Sequence, residues 1–270
     1  MRISSDEENI VQKENKLRAW FTQGLPENDR IIDGFDIGWG GTARWATSLL
    51  VEHLDPHRNL TILDVACGYG TFLVELGWRF PQAELIGLNL DFDPPHNRIA
   101  SLLSQGEVKA HLISADALRL PLISMKFDCV SCFLGLQDII ITRGKESLVA
   151  VVSELLRTVS HHGFLALLDN FSRESFENIL SQQNLEYDLV FHDSFKPNCQ
   201  WSREVGFKAV EMYAQGYLQQ QLDSKNPPDD SNKALTEIQK KMLRELENQL
   251  ESQGYYNPWG IMRLVLLQRL

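Results

Sequence analysis

The residues best placed to do chemistry lie in Thr61-Ile-Leu-Asp-Val-Ala-Cys-Gly-Tyr-Gly-Thr-Phe-Leu-Val-Glu-Leu76, where an apolar run turns through two glycines straight into a helical periodicity. Glycines at 68 and 70 allow a tight turn and a close approach of backbone to ligand, and the following helix opens with N–H groups that have no partner inside it. A small-molecule or dinucleotide ligand is implied. Asp64 narrows the choice. A dinucleotide fingerprint needs a third small residue where this chain has Leu73, and a carboxylate four positions ahead of Gly68 repels a pyrophosphate while it attracts an amino group. The pattern points to a zwitterionic ligand with a cationic centre.

Candidate acid–base groups are His192 and Asp193, read at the end of the sixth apolar run, with Gln137 and Asp138 after the fourth. A histidine of near-neutral pKa can take a proton from a phenol or thiol; the competing reading is a polar strand end in water. Asp169-Asn170 closes the fifth run, but hard cations want several oxygen ligands, so no metal is expected. Cys129 and Cys132 form a C-x-x-C within an apolar run. On a strand, residues three apart face opposite ways, so the pair can share neither a metal nor a disulfide. Together with Cys67 and Cys199 they are expected to be packing residues in a reducing compartment.

Positioning these groups requires the elements around them. Apolar runs at 61–66, 84–90, 109–114, 127–133, 164–168 and 185–191 alternate with helical stretches near 71–80, 95–103, 145–159 and 172–182. Repeated strand–helix alternation predicts a doubly wound α/β fold, a mostly parallel sheet with helices on both faces. Ahead of it, residues up to about Asn15 read as frayed, Leu17, Trp20 and Phe21 mark a short packing helix, and Thr42 reads as the N-cap of a helix that Asp55-Pro56 closes. Near the end two helices, 203–218 and 233–251, flank the Pro227-Pro-Asp-Asp-Ser loop before a last strand at 261–267. The predicted organisation is a helical cap over 1–58 and an α/β domain over 59–270 with a helical insert at about 194–257.

With these residues in hand, the chain resembles the class I S-adenosylmethionine-dependent methyltransferases. Asp64, Ala66, Gly68 and Gly70 match the family's first motif, with Ala66 in place of one glycine. Ala115-Asp-Ala-Leu-Arg-Leu-Pro121 resembles its segment after the third strand, Lys126-Phe-Asp-Cys-Val130 its fourth strand, and Leu156-Arg-Thr-Val-Ser-His-His-Gly163 the turn before its fifth, although His161 and His162 depart from the usual Pro and Gly. The resemblance spans roughly 60–170, and the last strand resembles the family's reversed seventh, tucked between the fifth and sixth, giving a seven-stranded sheet.

That resemblance implies S-adenosylmethionine as cofactor and S-adenosylhomocysteine as product. It places Asp64, Ala66, Cys67, Gly68 and Gly70 at the methionine end. An acidic residue grips the ribose hydroxyls in the family, and the equivalent place here is Asn89, with Leu90 and Asp91 following. The amide of Asn89 is the preferred ribose partner, with Asp91 reaching back as the alternative. Asp116 and the Ala117 amide fall at the adenine, with Phe133 or Leu134 covering it or the methionine tail. Trp39, Leu134, Trp201 and Tyr213 are candidate pocket walls for an aromatic or apolar acceptor.

Composition bounds the partners. With 36 Asp and Glu against 26 Lys and Arg, a net of −10, no concentrated basic surface stands out and nucleic acid is disfavoured. The polar start fits no targeting peptide and no run reaches the length of a membrane span, so a cytoplasmic protein is expected, with homodimerisation left open. The expected function is methyl transfer to O or N of a small molecule by in-line displacement, in which positioning supplies most of the acceleration. The alternatives are a protein methyltransferase and a non-catalytic binder of the cofactor.

Overall fold

The computed structural model of the chain describes residues 5–21, 41–91, 96–184, 186–197, 200–222, 228–257 and 260–270. Its sheet contains β1 (Thr61–Val65), β2 (Glu84–Asn89), β3 (His111–Ser114), β4 (Phe127–Phe133), β5 (Val159–Asp169), β6 (Tyr187–Phe195) and β7 (Met262–Arg269) in the order β3-β2-β1-β4-β5-β7-β6. Strand β7 runs antiparallel to both neighbours, and the pairs from β3 to β5 are parallel. This is the predicted doubly wound seven-stranded fold with its reversed last strand.

Alternation along the inner strands sorts side chains into two cores. Ile62, Cys129, Ala166, Leu168, Leu264 and Leu266 share one core with α2 (Ala43–Leu50), α3 (Thr71–Arg79) and α4 (His96–Gln105). Leu63, Val65, Val130, Cys132, Leu165 and Leu167 share the other with α6 (Ser147–Thr158) and α7 (Arg173–Leu180). Cys129 and Cys132 are both buried free thiols on opposite faces of the sheet, as their spacing requires. Strand β6 is an edge, and there Leu189 and Val190 remain exposed beside a bulge.

Several local readings are corrected. The first helix, α1, spans Ser5–Phe21 instead of starting at Lys16. Ile10, Glu14 and Leu17 are buried along one stripe, and the Glu14 carboxylate is neutralised by Arg44 of α2. A glutamate inside an apolar stripe disguises the helix as a frayed end. Thr42 is no N-cap: its backbone is already helical and its hydroxyl makes no capping bond. The segment after β4 contains an unanticipated helix, α5 (Leu136–Arg143).

The insert forms a hairpin of α8 (Arg203–Leu222) and α9 (Ser231–Gln253). Asp230 caps α9 by accepting from the N–H groups of Asn232 and Lys233. The hairpin has its own small core of Trp201, Val205, Ala209, Val210, Leu246 and Tyr256, closed by backbone bonds between Trp201 and Tyr256. A Cβ on Gly206 would lie 2.5 Å from a Leu246 methyl, so a larger residue there would force Leu246 to shift. Trp201 and Tyr213, expected at a pocket wall, pack into this hairpin core. No helix among the described residues is long and apolar enough to cross a membrane.

Because Leu246 is wholly buried in that separate core, Leu246→Ala is expected to cost about 2–4 kcal/mol locally. Hydrogen exchange should accelerate across 201–257 while β1, β4 and β5 keep their protection. Uniform loss of protection would show that the hairpin and the sheet unfold as one unit.

Candidate functional site

The residues singled out by the sequence gather at the carboxyl ends of the parallel strands β1 to β4. Asp64 sits on β1 between Gly87 of β2 and Ser131 of β4, with no exposed surface. Its Oδ1 accepts a 2.7 Å hydrogen bond from the Ser131 hydroxyl, while Oδ2 is buried with no hydrogen-bond partner among the described residues. Burial pushes this carboxyl up to about 7, with Ser131 pulling the other way. An unsatisfied buried acceptor at the head of a glycine turn suits an incoming cationic donor such as an ammonium group.

The turn beyond it takes a left-handed backbone at three alternate residues, Ala66 (φ 57°), Gly68 (φ 53°) and Gly70 (φ 83°). Ala66 bears strain that glycine would not, roughly 1 kcal/mol. Its methyl fits because position 135 is glycine: a Cβ on Gly135 would stand 2.5 Å from that of Ala66. Among the described residues nothing outside its immediate chain neighbours lies within 4 Å of where a Cβ on Gly68 would be. The Cys67 thiol is held well above its ordinary range by burial and by Asp64, which makes it a packing group.

Asn89 ends β2, and its side-chain amide grasps one peptide unit on each side of Gly68. Its Oδ1 accepts from the Gly68 N–H and its Nδ2 donates to the Gly68 carbonyl, both at 3.0 Å. The amide expected to meet a ribose is therefore already committed to the glycine turn. Next to it Leu90 is 54 % exposed and Asp91 lies at the surface, leaving an apolar side chain and a carboxylate on the rim.

After β3, Asp116 accepts from the Leu118 N–H and pairs with Arg143 of α5 at 2.8 Å, while Ala117 is buried beside it. Phe133 ends β4 stacked on Phe72 of α3, ring centroids 4.4 Å apart and 5° from parallel. Leu134 follows with φ 58° and is fixed by its N–H to the Leu168 carbonyl. Gln137 donates its backbone N–H to Asp169 Oδ2, and the Asn170 N–H takes Oδ1, so Asp169 caps α5 from the neighbouring strand.

Two sequence candidates do not join this group. His192 and Asp193 lie within β6, opposite Val265 and Leu264, because the strand continues to Phe195 instead of ending before them. Strands β5 and β7 separate them from β4. Burial, Arg173 and Arg263 hold His192 below its ordinary range. Trp39 lies outside the described residues. Sequence reading missed Ser131, whose only signal was a lone hydroxyl in an apolar strand, and Arg143, which sits in the unanticipated helix.

Residues 62–163 match a family model described as a methyltransferase domain. Over 163 residues the chain is 33% identical to the demethylmenaquinone methyltransferase of Deinococcus radiodurans, covering 58% of this chain and 61% of that protein. It is 27% identical over 168 residues to a ubiquinone/menaquinone biosynthesis C-methyltransferase of Campylobacter jejuni, covering 61% and 67%. The chain thus spans 61% of the length of the first of these relatives. In fold it is similar to the YcgJ protein from Bacillus subtilis, with a TM-score of 0.53 at 12% identity over 84% of this chain and 98% of that one.

The buried carboxyl has a stability consequence. Asp64 titrates near 7 when folded, against an ordinary value of 3.8, so the folded chain holds the extra proton. The stability this lends is complete below about pH 4 and is lost as pH rises through 7. Asp169, raised to about 6, acts in the same sense over a narrower window. Thermal unfolding should therefore show Asp64→Asn melting roughly 5 °C above wild type at pH 8, with the gap closing towards pH 4. Equal melting at pH 8 would mean that no buried charge is present.

Proposed function

We propose that this chain, a member of the class I S-adenosylmethionine-dependent methyltransferase superfamily, methylates a small aromatic molecule held beyond the carboxyl ends of β4 and β5. The observation that carries the reading is the half-satisfied Asp64 carboxylate beside the open face of Gly68. In this reading Asp64 and the 66–70 turn take the ammonium and carboxylate of the methionine end, and Asp91 takes the ribose hydroxyls. Leu90 and Ala117 enclose the adenine, and Asp116 accepts from its amino group while sharing Arg143. Phe133, braced by Phe72, and Leu134 divide the cofactor from the acceptor. When bound, the cofactor supplies an electrophilic methyl on a sulfonium that leaves as a neutral thioether.

For the acceptor, the reading shifts from O or N to carbon. The relatives are named for quinone methylation, one of them at carbon. The apolar rim of Leu90, Phe133 and Leu134 suits a ring. A ring that has given its hydroxyl proton to solvent is nucleophilic at carbon: the C–CH3 bond forms as the S–CH3 bond breaks, and the ring carbon then releases its own proton to solvent as aromaticity returns, so the chain's task is to orient the ring against the methyl. This agrees with the distance of His192 and Asp193 from the crevice.

The flanking segments supply the cover in this reading. The insert leaves the body at the end of β6 and packs α8 beside α5, and Trp45 of α2 stacks on Phe195 where the insert begins, centroids 5.3 Å apart. In this reading α1, α2 and the α8–α9 hairpin form the cap over the acceptor.

Calorimetry with S-adenosylhomocysteine and with S-adenosylmethionine tests the cofactor, and labelled-methyl transfer to naphthohydroquinones tests the acceptor. Asp64→Asn should weaken cofactor binding by about 10- to 100-fold. Wild-type affinity should fall by up to about tenfold per pH unit below 7, since the carboxyl must shed its proton to meet the ammonium. A chain that ignores both cofactor forms at millimolar concentration does not have this function.

A further inference from the structure

We propose that Asn89 is a positioning residue whose amide locks the Gly68 peptide groups in the orientation the cofactor turn needs, standing where the resembled family keeps a ribose-binding carboxylate. The inference rests on the functional reading above for its consequence and on the geometry alone for the lock.

Two bonds to one residue define it. The Asn89 oxygen meets an N–H and its nitrogen meets a carbonyl, so the amide fits in one orientation only, and both contacts are 3.0 Å long. Asn89 is buried, its own backbone carbonyl accepts from Ala115, and the backbone pairs in register with Ser114. The side chain is committed at both its oxygen and its nitrogen to one residue of the turn.

The turn needs such a lock because it alternates left-handed residues, one of them the alanine at 66, and offers Gly68 no side chain with which to pack. A carboxylate at 89 could accept from the Gly68 N–H, but its second oxygen would face the Gly68 carbonyl at the distance Nδ2 now holds. Two acceptors at that separation repel. The family's acidic residue and this turn geometry are therefore incompatible in this chain, and the ribose must be held from elsewhere on the rim.

This gives a sign that separates two roles. Were Asn89 a weakened ribose ligand, Asn89→Asp would restore a carboxylate and tighten binding. As a lock, Asn89→Asp loses S-adenosylhomocysteine affinity by about 10- to 30-fold at pH 7.5 and melts about 3–8 °C below wild type. A protonated carboxyl carries one acceptor and one donor, as the amide does. Relative to wild type at the same pH, the melting deficit of Asn89→Asp should then shrink by more than half between pH 7.5 and pH 5, whereas that of Asn89→Leu stays constant.

The titratable groups on the elements around position 89 are Asp64, Cys67 and Tyr69 on β1 and its turn, Glu84 at the far end of β2 and Asp91 beyond it, Asp116 with Arg143 beyond β3, Glu75 and Arg79 on α3, and His96 and Arg98 on α4, with His111 at the far end of β3. The nearby carboxylates favour the protonated form of a carboxyl introduced there.

Binding by Asn89→Asp equal to or tighter than wild type overturns the proposal, as does a melting deficit that does not change with pH. Should Asn89→Asp fail to fold at pH 7.5, the wild-type Gly68 amide decides: protection from exchange of about 100-fold or more is expected, and exchange at the free-peptide rate overturns the lock. If wild type binds no S-adenosylhomocysteine, the functional reading fails, while melting and amide exchange of the unliganded chain still judge Asn89.

Discussion

A carboxylate sealed between strands is the constraint around which this molecule is arranged. Asp64 receives one hydrogen bond, from Ser131, and keeps one oxygen unanswered by any described hydrogen bond in a region without water contact. Holding a charge there works against folding, and the chain adds strain next to it at Ala66. Such concentrated penalties survive only where the surrounding packing is large enough to impose them, and both hydrophobic cores converge on β1. Ile62 anchors the strand to one face, Leu63 and Val65 to the other.

Topology explains why the constraint sits there. From β1 the sheet grows one way through β2 and β3 and the other way through β4 and β5, so chain connections diverge at the boundary of β1 and β4. Open parallel sheets form their ligand crevice at such a boundary. The Ser131–Asp64 bond spans it directly. Glycine at 135 then allows the chain leaving β4 to settle against Ala66, so two adjacent loops are fitted to each other before any ligand arrives.

Much of this was legible in the sequence. The glycine turn, the strand order implied by the motif series and the opposed faces of Cys129 and Cys132 follow from periodicity and backbone geometry, which are local properties. What escaped depends on partners distant in sequence. Glu14 reads as surface until Arg44 is brought to it, and Asn89 reads as a ligand contact until the Gly68 peptide groups are seen to occupy it. Helix α5 is short and its cap is Asp169 from another strand, so no neighbouring residue announces its start. His192 and Asp193 were placed by assuming where β6 stops. The strand runs on because β7 continues to pair with it.

The helical hairpin draws its packing from residues it does not share with the sheet. A part assembled in this way can accumulate substitutions, or be exchanged for another of different shape, while the glycine turn keeps its form. Diversification of such a molecule would therefore be expected to proceed by rewriting the hairpin, with the packing around Asp64 held constant.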